Sequence, residues 1–180
     1  MLKQLNAGYS LFELLITLAI ITIVTTLTIP NYKTFLTHAD SQTQRSNLQR
    51  ALAFARSQAM LREVKVALCG ASEDHQHCVE DWRNGVLIFT DTNGSAMITS
   101  PEQILYVIAN SNHFGILHWR SSFKVNYLQI QPEGSTNGEN GTFWYCPHHA
   151  RAPSWALIVS LAGRARVALD ETDLKKLLCA

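Results

Sequence analysis

The chain is 180 residues long, 47% of them hydrophobic and 16% charged, with a formal net charge of +1. That length holds one modest core and an appendage, which excludes a large multidomain enzyme. The composition also excludes a disordered tail and a uniformly basic nucleic-acid binder, so a charged partner must be met by a local patch. Four cysteines in a short chain with an export-like start point to disulfides and an extracytoplasmic compartment, although the count alone allows three pairings.

The first element predicted is a helix. Leu11 to Ile29 is a nineteen-residue stretch whose only charge is Glu13 and whose polar members are all Thr. At 1.5 Å per residue it spans roughly 28 Å, close to the thickness of a bilayer's hydrocarbon core. An ordinary secretory signal would end in a small-residue cleavage site, and Ile29-Pro30-Asn31-Tyr32 offers none. A carboxylate in such a helix costs about 2.5–3.5 kcal/mol, so Glu13 needs a partner that the apolar stretch does not supply.

The run Asn6-Ala7-Gly8-Tyr9-Ser10-Leu11-Phe12-Glu13-Leu14-Leu15 resembles the start of type IV pilins and pseudopilins. The resemblance implies a leader, residues 1–8, removed by a prepilin peptidase between Gly8 and Tyr9, with methylation of the new Tyr9 amine. Glu13 becomes the fifth residue of the product, and its partner is the Tyr9 amine of a neighbouring subunit in a filament. The chain departs from the usual pattern in having Tyr9 where Phe is common and Lys3 as the leader's one basic residue. Residues 9–30 are then a single-pass inner-membrane and filament-packing helix. Pro30 stands where many pilins bend that helix.

Beyond Pro30 the helix becomes amphipathic. Leu48, Leu52, Ala55 and Ala59 repeat at i, i+4, i+7 and i+11, so one stripe faces a core and the helix runs to about Glu63. Arg45, Arg50, Arg56 and Arg62 occupy polar positions and read as a solvated face. The string Leu52 to Arg62 leading into Val64–Cys69, the segment Trp82-Arg83-Asn84-Gly85-Val86-Leu87-Ile88-Phe89-Thr90-Asp91, and the segment Ala156 to Val167 together resemble the FimT/GspH family of minor pilins and pseudopilins. The fold this implies is α+β and type IV pilin-like, a long N-terminal helix packed on a C-terminal antiparallel β-rich head, residues 31–180.

β-Branched and aromatic runs place strands near 64–69, 85–90, 104–109, 114–119, 123–130, 142–146, 155–161 and 164–169. Asp91-Thr92-Asn93-Gly94 has calcium-like oxygens but no later bidentate Glu, and reads as a hairpin turn. Glu133 to Gly141, polar and glycine-rich, reads as a mobile loop. The cysteines suggest Cys69–Cys78 around a short loop and Cys146–Cys179 pinning the tail, each worth about 3 kcal/mol. His75, His77 and Cys78, and Cys146, His148 and His149, lack the paired spacing of a zinc centre, so neither metal nor cofactor is expected. No nucleophile elbow, phosphate loop or His-Glu-x-x-His is present, and an enzyme is not expected. The remaining enzymatic alternative is a membrane-tethered periplasmic metalloenzyme.

Gly163-Arg164-Ala165-Arg166 is the sharpest local feature. Strand alternation sends Arg164 and Arg166 to one face, about 6.6 Å apart, a spacing comparable with adjacent phosphates on an extended backbone. Planar guanidinium groups suit phosphate oxygens. No acid lies between Glu139 and Asp170, an interval holding Arg151, and a second acid-free interval holds Arg120 and Lys124. Outward arginines also blunt a strand edge. The Gly-Arg-x-Arg motif resembles the one through which FimT-type minor pilins bind DNA in natural transformation. The resemblance therefore implies DNA contacts by Arg164 and Arg166, with Gly163 shaping the turn and Arg151, Lys124 and Arg120 adding charge. It also implies major and minor pilins as partners and a head that passes from periplasm to pilus surface. The competing expectation is a GspH-type minor pseudopilin of a type II secretion system.

Overall fold

A computed structural model describes residues 10–110, 114–148, 154–168 and 179, without the side chains of residues 27–31 and 33. Gly8, Tyr9, Arg151 and His149, to which the sequence assigned roles, lie outside the described residues, as do Asp170, Glu171, Asp173, Lys175 and Lys176. Helix α1 runs unbroken from Leu11 to Arg62. Its residues up to Leu36 fall in one compact unit, Met1–Leu36, and the rest in a second, Thr37–Ala180.

In the first unit the helix starts where the Ser10 carbonyl accepts the Leu14 N–H at 3.2 Å, with the Glu13 N–H donating to Ser10 Oγ at 3.4 Å. This Ser-x-x-Glu pattern is the signature of a helix start. Leu11, Phe12, Leu14, Leu15, Ile16 and Leu18 are all exposed, so the surface is apolar on every side. Thr17, Thr22, Thr25 and Thr26 donate their hydroxyls back to the carbonyls of Leu14, Ala19, Ile21 and Ile23, at 2.8–2.9 Å. The side chains thereby satisfy themselves and leave methyl groups outward. Among the described residues no helix is long and apolar enough to cross a membrane. The described side chains of the apolar run end at Thr26, short of the Leu11–Ile29 stretch counted from the sequence.

Among the described residues of the second unit, nine strands form two antiparallel sheets. The first orders β2 (Cys78–Val79), β1 (Val66–Ala71), β3 (Gly85–Thr90) and β4 (Ile104–Ala109), with β6 (Tyr127–Ile130) also pairing β1. The second orders β5 (Gly115–Ser121), β7 (Gly141–Pro147), β8 (Trp155–Val159) and β9 (Ala165–Val167). The stripe expected of the helix is the stripe that is buried: Leu48, Leu52, Ala55 and Ala59, joined by Ala51, are at most 3% exposed. They meet Val66, Leu68, Val86 and Ile88 of the first sheet and Leu117, Phe143, Tyr145 and Leu157 of the second in one core. The opposite face of β1 and β3 holds a smaller cluster of Ala67, Cys69, Ala71, Leu87 and Phe89. Covered on both sides, these strands read as continuous apolar runs rather than alternating ones.

Two polar ties fasten the helix to the second sheet. Tyr145 donates its hydroxyl to Asp40 at 2.7 Å, and Trp155 donates its indole N–H to the Ser41 carbonyl at 2.9 Å. Burial, and then the Asp40 carboxylate, hold the Tyr145 phenol well above its ordinary value. Cys69 is bonded to Cys78 and Cys146 to Cys179, with Cα–Cα separations of 5.5 and 5.4 Å.

The helix ends at Arg62, within a residue of the expected end, because Glu63 takes a left-handed φ of 54°, the turn-off usually given to glycine. Two expectations are corrected. Asp91–Gly94 is a turn, with the Gly94 N–H on the Asp91 carbonyl at 3.1 Å, but it opens a long connection to β4 that includes a 3-10 turn at Pro101–Gln103. Asp91 is fully buried there and accepts from Ala96 N–H and Gln129 Nε2. The Glu133–Gly141 segment is held down rather than mobile: Gly134, Thr136 and Glu139 are buried, Thr136 donates to the Leu161 carbonyl at 2.8 Å, and Glu139 accepts the Gln129 N–H at 2.9 Å.

Glu139 has a pH signature. Burial pushes its carboxyl above the ordinary value, against the opposing pull of the Gln129 N–H, the Asn137 side chain and Lys65. A raised carboxyl favours folding while protonated, so this contribution is present below about pH 4.5 and is lost as pH rises through the raised value. Glu139→Gln keeps an acceptor for the Gln129 N–H and has no charge to bury. We expect its melting temperature to exceed the parent's at pH 7, with the gap closing by pH 4; a gap constant across thermal melts from pH 4 to 7 refutes this.

Candidate functional site: the basic face of the second sheet

The hairpin carrying Arg164 and Arg166 is built around Ser160. Its N–H donates to the Arg164 carbonyl at 2.9 Å, its hydroxyl adds a donation to the same carbonyl at 3.2 Å, and its own carbonyl accepts the Gly163 N–H at 2.9 Å. This leaves a three-residue loop, Leu161-Ala162-Gly163, whose last residue must be left-handed, and Gly163 has φ of 69°. Gly163 is buried, and a Cβ placed on it would lie 2.1 Å from the Gly134 carbonyl oxygen. Only a glycine lets the two backbones meet so closely.

Past the loop, Ala165 and Val167 pack on the core while Arg164 and Arg166 are exposed. The alternation read from sequence is the one observed. The sheet register then aligns residues far apart in the chain: Arg120 of β5 faces Thr142, Thr142 faces Ile158, and Ile158 faces Arg166. Directly opposed residues share a face, so Arg120 and Arg166 stand on the same outer surface, one on each edge strand. Three strand spacings separate them, about 14 Å. Lys124, exposed with φ of 58°, sits in the turn directly after β5, and that turn leaves the sheet at the end from which β9 enters with Arg164. Arg120 and Arg166 thus share one face of the sheet, and Lys124 and Arg164 lie at the same end of it. Arg151 lies outside the described residues.

Among the described residues no carboxylate is within ion-pair distance of these four cations, the ion pairs there being His77–Asp74 and Arg83–Asp81. Glu139 is turned inward, and Glu133, exposed nearby in sequence, accepts from Ser135. Sequence reasoning missed the aromatic part of this face. Trp144 of β7 stacks on His118 of β5, with ring centroids 5.1 Å apart and planes at 16°, and the Arg120 guanidinium lies 5.9 Å from the Trp144 ring centroid. Cation–π contact of this kind steadies the arginine without neutralising it. Burial holds the His118 imidazole below its ordinary value. The outward period of β5 and β7 was the signal available for this cluster, since 118, 120, 142 and 144 share parity. Among the described residues no three His, Cys, Asp or Glu side chains gather as metal ligands, and Cys78 and Cys146 are consumed by disulfides.

A long helix whose second half packs on an antiparallel two-sheet head, with an apolar first half, defines a pilin-like protein. The family model for the type II transport protein GspH matches residues 44–163, and that for the prokaryotic N-terminal methylation motif matches residues 3–29. The chain belongs to the GspH family, which takes in minor type IV pilins and pseudopilins. No curated protein matches it. Among solved structures it is similar to the type IV minor pilin FimU of Pseudomonas aeruginosa, with a TM-score of 0.56 and 21% identity over 74% of this chain and 92% of that one. A second crystal form of FimU gives 0.52 and 21% identity over 71% and 91%. The minor pseudopilin EpsH of the Vibrio cholerae type 2 secretion system gives 0.50 and 11% identity over 71% and 95%. At these identities the likeness is one of fold.

Proposed function

We propose that this protein is a minor type IV pilin that captures DNA through its phosphate backbone, without sequence preference, during natural transformation. The observation that carries the reading is the outer face of the second sheet, where Arg164 and Arg166 stand exposed at the same end as Arg120 and Lys124, with no carboxylate partner among the described residues. Unneutralised arginines at strand spacing suit phosphate oxygens, and contact with phosphate alone carries no base information. Prepilin peptidase cuts between Gly8 and Tyr9 and the Tyr9 amine is methylated, as the matched methylation motif supports. The chain then waits in the inner membrane as a single-pass protein with its head in the periplasm. In the fibre, Glu13 pairs with the Tyr9 amine of a neighbouring pilin, which suits a carboxylate that finds no cation among the described residues. Retention of Met1 to Gly8 on the native protein, seen by intact mass, would refute the processing step.

The test of the binding step is a gel shift of the full chain in nonionic detergent with a random-sequence duplex across a salt series. The expected log affinity falls by about 0.9 per log salt for each phosphate engaged, so a slope of roughly −2 to −4 is expected for this face. Affinity independent of salt, or absent at 50 mM salt, rejects the reading. The likeness to EpsH favours a second one, a minor pseudopilin of a type II secretion system. That reading predicts no DNA shift and a secretion defect on deletion.

A further inference from the structure

The four arginines of α1 do not behave alike. Arg45 donates to Gln42 at 2.6 Å, Arg50 to Ser46 at 2.8 Å and Arg62 to Gln58 at 2.7 Å, each turning back on its own helix as a solvated face should. Arg56 instead leaves the helix. Its Nε–H donates to the Gly134 carbonyl, 78 residues away, at 3.0 Å. That carbonyl is the one against which Gly163 packs, and a Cβ built on Gly163 would lie 3.6 Å from Arg56 Nε. The helix therefore brings a guanidinium to the residue next to Arg164.

We infer that Arg56 is a further cation for DNA at the Gly163 end of the hairpin, bordering the face that carries Arg164 and Arg166, and contacting phosphate through its outer guanidinium nitrogens while its Nε–H holds the Gly134 carbonyl under the hairpin. This rests on the DNA-binding reading above. Among the described residues only the Nε–H of Arg56 finds an acceptor, which leaves Nη1 and Nη2 without one there. The side chain is half-buried, so those nitrogens are steered by the fold rather than free to sweep. No carboxylate pairs with Arg56 among the described residues; Glu133, beside Gly134, is occupied by Ser135. A guanidinium anchored by one N–H and open at the other end is preorganised for a phosphate.

The experiment measures DNA affinity across a salt series for full chains carrying Arg56→Gln and Arg56→Lys, each with a thermal melt. A lost phosphate contact flattens the slope by about 0.9 and weakens binding roughly tenfold at 50 mM salt. Arg56→Gln is expected to do both, and Arg56→Lys, which keeps the charge, to retain the parent slope. Equal parent-like slopes in both variants overturn the contact. Equal slope losses in both, tracking a shared fall in melting temperature, also overturn it, because the arginine then acts only by holding the turn. A parent that binds no DNA removes the underlying reading as well, whereas a binding parent with an inert Arg56 removes this inference alone.

Discussion

Replacing Arg164 and Arg166 together by Gln is expected to weaken DNA binding roughly a hundredfold at 50 mM salt and to flatten the salt slope by about 1.8. Each phosphate contact releases condensed counterions, and at that salt the release is worth a factor of roughly ten per contact. Both side chains are exposed on a strand whose inward residues are Ala165 and Val167, so their removal leaves the core untouched. Exposed substitutions of this kind stay within about 0.5 kcal/mol of the parent's stability. Unchanged melting with lost binding is thus the expected pair of results. Parent-like affinity in the double variant would move the site away from β9, with Arg120 and Lys124 the next to be tested.

Gly163→Ala is expected to lose binding by the opposite route, through the fold. The added methyl would sit 2.1 Å from the Gly134 carbonyl oxygen, in a backbone conformation of φ 69° that side chains rarely adopt. The carbonyl cannot retreat freely, because Arg56 holds it and the Thr136 N–H ties the same loop to Leu161. Strain of this type costs on the order of 2–4 kcal/mol, a fall of roughly 5–15 °C for a unit this size. The hairpin relieves it by moving, which carries Arg164 away from Arg56 and weakens DNA binding at the same time. Thermal melts and gel shifts on one preparation decide the matter: a variant that melts with the parent shows that the turn absorbs a methyl, and the close approach then does not constrain the site.

The contrast between these two variants marks what was legible in the sequence. The outward placement of Arg164 and Arg166 follows from a two-residue period and a glycine at a turn, both local, and the structure reproduces it. The helix stripe Leu48, Leu52, Ala55 and Ala59 was equally plain, because its period is written in neighbouring residues. The alignment of Arg120 with Arg166 was not, since it depends on the register of three strand pairs. Arg56 was read with its three neighbours as a solvated face because nothing within a helical turn distinguishes it; its partner is 78 residues away. The Glu133–Gly141 loop was misjudged for a related reason. Its polar groups bond to Arg56 of α1, Gln129 of β6 and the Leu161 carbonyl, which leaves Thr136 and Glu139 buried. The strand β2, only Cys78–Val79, is too short to leave a period at all.

The threonines of the N-terminal helix have a consequence for how such a subunit changes surroundings. Thr17, Thr22, Thr25 and Thr26 keep their hydroxyls on their own backbone. None of these four hydroxyls therefore waits for a lipid headgroup, a water or a neighbour to complete it. A subunit drawn from a bilayer into a bundle of similar helices would exchange one oily jacket for another without breaking a single polar contact there, and the switch would be reversible for the same reason. On the proposed reading Glu13, the one charge among the described residues of that stretch, would be the group that notices the difference.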